Sequence, residues 1–236
     1  MGGKVRVEEA KTSISTRIPT LIDMAKRGVI VLAGLALAGC TQNVDSPRAQ
    51  PEPLVAPLTA LQVRELLSPK ALRGGDGNLF TTVTPDECTG VAREVDPPFI
   101  FDRDPAATDG GHWVAEDGRE VYIEEMVGVY HADFDARQAL TQARDTIESC
   151  RDVPFTVTDM NGRDYAFRLL PEVDSRSPNI LLWSFRADDW ACDSTFVAAH
   201  NAAIEISTCG PVGGYEVLDL AEDALQRIEK LANTTA

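Results

Sequence analysis

Five cysteines and three histidines carry most of the reactive chemistry in this 236-residue chain. Cys40 closes an unbroken apolar run, residues 29–40 (VIVLAGLALAGC), directly behind Lys26 and Arg27. Cys88, Cys150, Cys192 and Cys209 are spread through the rest of the chain, none with the CxxC spacing that favours zinc. In an oxidising compartment these four predict two disulfides, with three connectivities open. His112 and His131 flank Glu124 and Glu125. Adjacent strand residues point to opposite faces, so only one of those glutamates can join a metal, and ordinary surface polarity is the expected role. His200 reads as a turn residue. Asp102, Asp104 and Asp109 lack the EF-hand spacing and its terminal glutamate, which leaves a solvated acidic loop. Asp188 and Asp189 read as a turn rather than a general acid/base pair. No GxSxG elbow, HExxH pair or phosphate-binding glycine loop occurs. No catalytic residue, metal or cofactor is therefore expected.

The apolar run sets the address. A basic stretch, a short apolar core and small residues before a cysteine make an export signal, and the run is too short to span a bilayer. The ending Leu37-Ala38-Gly39-Cys40 resembles the lipobox of bacterial lipoproteins. That resemblance implies diacylglycerol on the Cys40 sulfur, cleavage just before it, and a membrane partner held through the acyl anchor. Met24 heads a complete signal by itself, so residues 1–23 read as an upstream extension. Residues 1–39 are accordingly set apart as extension and signal, 40–57 as a Pro-rich tether, and 58–236 as one extracytoplasmic domain. The chain carries a formal charge of −15, and the mature part −18 once the basic signal is removed. Such acidity excludes nucleic acid and docking on anionic headgroups.

The elements that position the cysteines follow from pattern. Thr59 and Gln62 form a capping box before a short helix that Pro69 stops. Residues 73–78 (RGGDGN) read as a flexible loop. Thr84-Pro85-Asp86-Glu87 predicts a capped helix, TPDECTGVA, with Cys88 in its first turn. A loop follows from Asp96 to Gly111, and strands begin at Trp113, turning at Asp117-Gly118. Asp135 caps ARQALTQARDTIESC, whose apolar face is Leu140, Ala143, Ile147 and Cys150. Asn161-Gly162 turns a second hairpin, and ILLWSFRA is a further strand. STFVAAH and AAIEIST pair about His200-Asn201. The last helix buries Leu218, Ala221, Leu225, Ile228 and Leu231. Trp113, Tyr122, Tyr130, Tyr165, Phe167, Trp183, Phe185 and Trp190 mostly pack the core. A sheet face left bare by the helices would instead form an apolar groove for an amphiphile.

The third hairpin fixes a pairing. With His200 and Asn201 as the turn, residues whose numbers total 401 face one another, and Cys192 and Cys209 do. Theirs is a non-hydrogen-bonded site, with Cα atoms about 4.5 Å apart, within a disulfide's reach. Cys88 is left for Cys150, joining a helix start to a helix end.

The capped opening helix, the cysteines around a strand–helix unit, Trp190-Ala191-Cys192, the run from Asn201 to Cys209-Gly210 and the C-terminal amphipathic helix together resemble a known family. It is the PknH-type extracellular sensor domain of mycobacterial receptor kinases and free-standing lipoproteins. The resemblance spans residues 57–232. It implies an α+β fold, an antiparallel sheet flanked by helices, with two disulfides and a cleft for an unidentified small-molecule or envelope ligand. The chain lacks the kinase domain and spanning helix of the kinase members. A lipid-anchored, non-catalytic binding or sensing module at the outer face of the cell membrane is the leading expectation. A carrier of envelope lipids or amphiphiles comes second, a hydrolase third.

Overall fold

Eight antiparallel strands form one sheet in the order β1-β4-β5-β6-β7-β8-β3-β2. The computed structural model describes residues 56–71, 79–116, 120–211 and 217–235. The strands are β1 (Phe80–Thr84), β2 (Ala107–Glu116), β3 (Glu120–Val129), β4 (Phe155–Asp159), β5 (Asp164–Leu169), β6 (Ile180–Arg186), β7 (Ala191–Ala199) and β8 (Ala202–Gly210). Two short helices, α1 (Thr89–Ala92) and α2 (Pro98–Phe101), precede β2, and α3 (Ala136–Ser149) and α4 (Val217–Thr235) are the long ones. The expected α+β architecture is the one observed.

Helices cover both faces of the sheet centre. On one face α1, α2 and α3 bury Val91, Phe99, Ile100, Leu140, Ala143 and Ile147 against Phe167, Trp183, Phe185 and Phe196. On the other, α4 and a 3-10 helix at Ala60–Leu66 bury Ala221, Ala224, Ile228, Val63 and Leu66 against Trp113, Ile123, Val127 and Ile204. Strand β7 lies between them, and all nine of its residues are buried. A strand covered on both sides needs no polar alternation, and the polar residues of ACDSTFVAA are buried with partners, Asp193 with Arg186 and Thr195 with the Leu181 carbonyl. The sheet centre is thus not the bare apolar face that an amphiphile groove would need. Most of the strand aromatics are core, as expected, with Tyr122 and Trp190 half-buried.

Local chemistry accounts for the elements. The Asp135 carboxylate accepts from Arg137 and Gln138 backbone N–H groups at 2.9 and 3.1 Å, capping α3 as its sequence predicts. Gln62 reaches back to the Thr59 N–H at 2.8 Å, while its own N–H donates to the Thr59 carbonyl in a 3-10 turn. Gly162 takes φ +78° in the β4–β5 turn, and His200 takes φ +51° at β7–β8.

Three expectations are corrected. Thr84 does not cap a helix: it ends β1, paired with Thr156, and joins Pro85 through a cis peptide. A 3-10 turn at Asp86–Cys88 then leads into α1. The stretch 96–111 is not all loop, because α2 begins at Pro98 and β2 at Ala107, six residues before Trp113. Gly110 and Gly111 disguise that strand. A Cβ at Gly110 would lie 3.0 Å from the Met126 Cε across the pair, so the glycine makes room for the methionine. Residues 1–55, 72–78, 117–119, 212–216 and 236 lie outside the described residues, and with them the signal, the tether up to residue 55, the RGGDGN loop and the Asp117-Gly118 turn.

Candidate functional site

Three open clefts run together along α2 and α3. The first, about 450 Å³, lies among the Asp86–Cys88 turn, α1, α2 and α3, with Glu87, Arg93, Asp102, Arg103, Gln142 and Thr146 in its walls. The second, about 360 Å³, shares Asp102, Arg103 and Gln142 with it and adds Asp104, Asp133, Phe134 and Gln138. The third, about 690 Å³, shares Asp133, Phe134 and Asp135 with the second and reaches Pro178, Asn179 and His200. The three clefts adjoin through these shared wall residues and together make up the groove.

Its middle is built on Tyr130 and Arg103. The Tyr130 hydroxyl donates to the Ile100 carbonyl at 2.9 Å, and its ring stacks on Phe134 at 4.0 Å and 5°. Burial holds the Tyr130 phenol above its usual range, partly offset by the Arg103 charge. Arg103 donates through Nη2 to the Ala139 carbonyl at 3.3 Å, whereas its buried Nε has no hydrogen-bond partner among the described residues. Burial lowers the Arg103 pKa, with Tyr130 and Asp102 opposing. An aromatic plate, a half-buried guanidinium and a row of carboxylates and amides suit a hydroxyl-rich ligand better than a long acyl chain.

Two further carboxyls sit behind the groove wall. Glu94, just past α1, accepts from the Phe80 N–H at 2.9 Å, and Glu205 lies buried on β8. Burial pushes the Glu94 carboxyl up to about 7, opposed by the Phe80 N–H and Ser207. Burial raises Glu205 well above the carboxylate range, and the Glu94 charge adds to the rise. On the opposite sheet face Glu125 is 2% exposed, meeting the Ser68 N–H at 2.7 Å and the Arg227 guanidinium.

The residues singled out in the sequence are placed as follows. Cys88 bonds Cys150, with Cα atoms 5.7 Å apart, and Cys192 bonds Cys209 at 4.2 Å. The β7–β8 register pairs Ala199 with Ala202 and Cys192 with Cys209, the register the turn arithmetic gives. Cys40 lies outside the described residues. His112 stands across from Glu124 in the β2–β3 ladder. Among the described residues no group of three or more His, Cys, Asp or Glu is placed to hold a metal ion. Asp189 pairs with Arg163, and His200 Nε2 lies 3.0 Å from Glu229 Oε2. Glu125 is corrected from surface polarity to a buried partner of Arg227. The signal for it was its strand parity, shared with Ile123 and Val127. Arg103, Glu94 and Glu205 had no such signal, because their surroundings come from residues distant in sequence.

Comparison with known proteins gives a consistent result. A family model described as "PknH-like extracellular domain" matches residues 47–227. The protein that carries the lipoprotein name LprH in Mycobacterium tuberculosis and Mycobacterium bovis is 24% identical over 214 residues. That match covers 84% of this chain and 90% of LprH. The crystal structure of the extracellular domain of PknH from Mycobacterium tuberculosis is similar at a TM-score of 0.56 and 17% identity. It spans 76% of this chain and 99% of that domain, a likeness of fold.

Proposed function

The chain belongs to the family of PknH-like extracellular domains, and from that premise we propose that it is a lipid-anchored, non-catalytic module that binds a hydroxyl-rich envelope ligand in the α2–α3 groove. The relatives' names support an extracytoplasmic lipoprotein domain. One observation carries the ligand class: Arg103 lies at the junction of the two narrower clefts with its buried Nε unpartnered, flanked by acidic side chains and the Tyr130–Phe134 stack. A ring bearing hydroxyls can stack on the aromatic plate and share donors and acceptors with Asp102, Asp133 and Gln142. The surrounding acidity disfavours polyanions. Carriage of lipids is the weaker reading, because the groove is open and charged rather than a dry tunnel.

Native mass spectrometry of the domain against neutral, cationic and sulfated oligosaccharides and acyl amphiphiles tests the groove. Retention of neutral or cationic chains is expected, with affinity falling tenfold or more in Arg103→Ala and Phe134→Ala. Retention of acyl amphiphiles alone, or binding unchanged in both variants, refutes it. The anchor has its own check. Cys40→Ala should leave unprocessed precursor and remove the protein from the detergent-soluble membrane fraction. Normal processing and partitioning of that variant would rule out the lipobox reading.

A further inference from the structure

We propose that Glu94 and the buried Glu205 form a proton-holding pair that latches the α1–α2 connection, so that the groove is firmly shaped in mildly acidic surroundings and loosens as the pH rises. The effect on ligand binding rests on the groove reading above; the latch itself does not.

The pair is defined by its neighbours. The Glu94 N–H donates to the Phe80 carbonyl at 2.9 Å while the Phe80 N–H donates to Glu94 Oε2 at the same distance, a two-way tie to the start of β1. The other oxygen, Oε1, lies 3.7 Å from Cys209 Sγ. That sulfur is in a disulfide and has no proton to give. Ser207 completes the contacts of Glu94. Glu205 is two residues along β8 from Ser207 and therefore on the same sheet face, between Met126 of β3 and Phe196 of β7. Its Oε2 is buried with no hydrogen-bond partner among the described residues.

No cation balances the two. Among the described residues neither carboxyl makes an ion pair, and Arg93, next to Glu94 in sequence, spends its Nε on the Val95 carbonyl at 2.6 Å. The other titratable groups on this face of β2 and β3 are Tyr122, across from Cys209, Glu124, across from Ser207, His112 beyond it on β2, and Tyr130 just past β3. Tyr130 interacts with both Glu205 and Arg103, and Asp96 follows Glu94 in the connection. The Tyr130 phenol brings no positive charge to the site, and Glu205 raises its pKa in turn. A buried carboxyl and a half-buried one so placed keep a proton, in line with the upward displacement of both.

Ionisation of Glu94 would put a charge against Glu205 and a disulfide, and the nearest relief is for the connection, residues 93–97, to swing toward water. That connection joins two walls of the groove, Arg93 on one side and Pro98, Phe99 and Asp102 on the other. Phe99 also transmits the movement, since its ring meets Trp183 and Phe196 at 5.8 and 5.7 Å, and Phe196 flanks Glu205.

Hydrogen exchange of the unliganded domain at pH 5.5 and pH 8, corrected for intrinsic exchange, reads the latch without any ligand. Opening of residues 89–102 is expected to rise at least tenfold at pH 8, since a carboxyl near 7 that reverts to about 4.5 on exposure favours the open form tenfold per pH unit between those values. Glu94→Gln, isosteric with the protonated acid, should abolish the pH dependence, and Glu205→Gln should shrink it. Unchanged exchange across that range in the wild type, or full pH dependence in both variants, overturns the proposal. Recovery of protection at pH 8 on adding sodium, potassium or calcium chloride would also overturn it, assigning the pair to a cation. A latch that works while no saccharide binds would leave the proposal standing and refute only the groove reading.

Discussion

Arg227→Ala should destabilise the domain by about 3–5 kcal/mol in urea unfolding, because it leaves Glu125 buried without its cation. Three elements meet at this clamp. Glu125 rises from β3, Arg227 descends from α4, and the end of the 3-10 helix supplies the Ser68 N–H and the Leu66 carbonyl, which accepts from Arg227 Nε at 2.7 Å. Burial raises the Glu125 pKa, with Arg227 and the Ser68 N–H pulling it down. Removing Arg227 removes the larger opposing influence, so the carboxyl should move up further and take a proton. A group whose folded pKa is raised stabilises below its unfolded value and loses that contribution as the pH climbs. The variant should therefore be least impaired near pH 4–5 and most impaired above neutrality. Replacing both partners, Glu125→Leu with Arg227→Met, should cost less than the single change, since no uncompensated charge remains. A loss below about 1 kcal/mol in Arg227→Ala, with no pH trend, would mean the pair is not structural.

That clamp also marks how far the sequence could be read. Alternation or apolar runs between turn signals placed β3 to β8, and 3.6-residue periods placed α3 and α4, because each of these elements declares in its own residues what it buries. The β7–β8 register was legible from a two-residue turn alone, since one fixed pair determines all the others. Strand β1 was hidden: FTTVT is short, carries an irregularity between Phe80 and Thr82, and runs into a cis Thr84-Pro85 that imitates a helix start. Asn201 shows the same limit in a polar residue. As a turn residue it was evident, yet its side chain also accepts from the Leu58 N–H at 2.8 Å and donates to the Leu58 and Tyr130 carbonyls. It thereby pins the start of the domain to the sheet, through a partner 143 positions away. Glu94 and Glu205 are 111 positions apart and influence each other only because Glu94 reaches Ser207 and Cys209 on β8. No local pattern encodes such a meeting, so the groove and its acid pair became visible only in three dimensions.

Loss of the Cys88–Cys150 disulfide should cost more than loss of Cys192–Cys209, and should also open the groove. By loop entropy the first bond, with a separation of 62 residues, is worth about 4 kcal/mol, and the second, with a separation of 17, about 3 kcal/mol. Packing widens that gap. Cys192 and Cys209 face each other in a nine-pair ladder at the sheet centre, so backbone hydrogen bonds hold them together once the bond is gone. Cys88 and Cys150 have no ladder. Cys88 ends a 3-10 turn and Cys150 caps the end of α3, and the bond between them ties the groove's Asp86–Cys88 wall to its α3 wall. What remains there is the burial of Val91 and the Trp183 indole N–H donating to the Val91 carbonyl at 2.8 Å. The paired change Cys88→Ala/Cys150→Ala should therefore lower the urea midpoint more than Cys192→Ala/Cys209→Ala. It should also raise hydrogen exchange across residues 86–92, whereas the hairpin variant leaves that segment protected. Peptide mapping without reductant checks the premise in the same samples. A fragment joining Cys88 to Cys192 or Cys209, or a hairpin variant that unfolds first, would contradict both the register and the role given to the first disulfide.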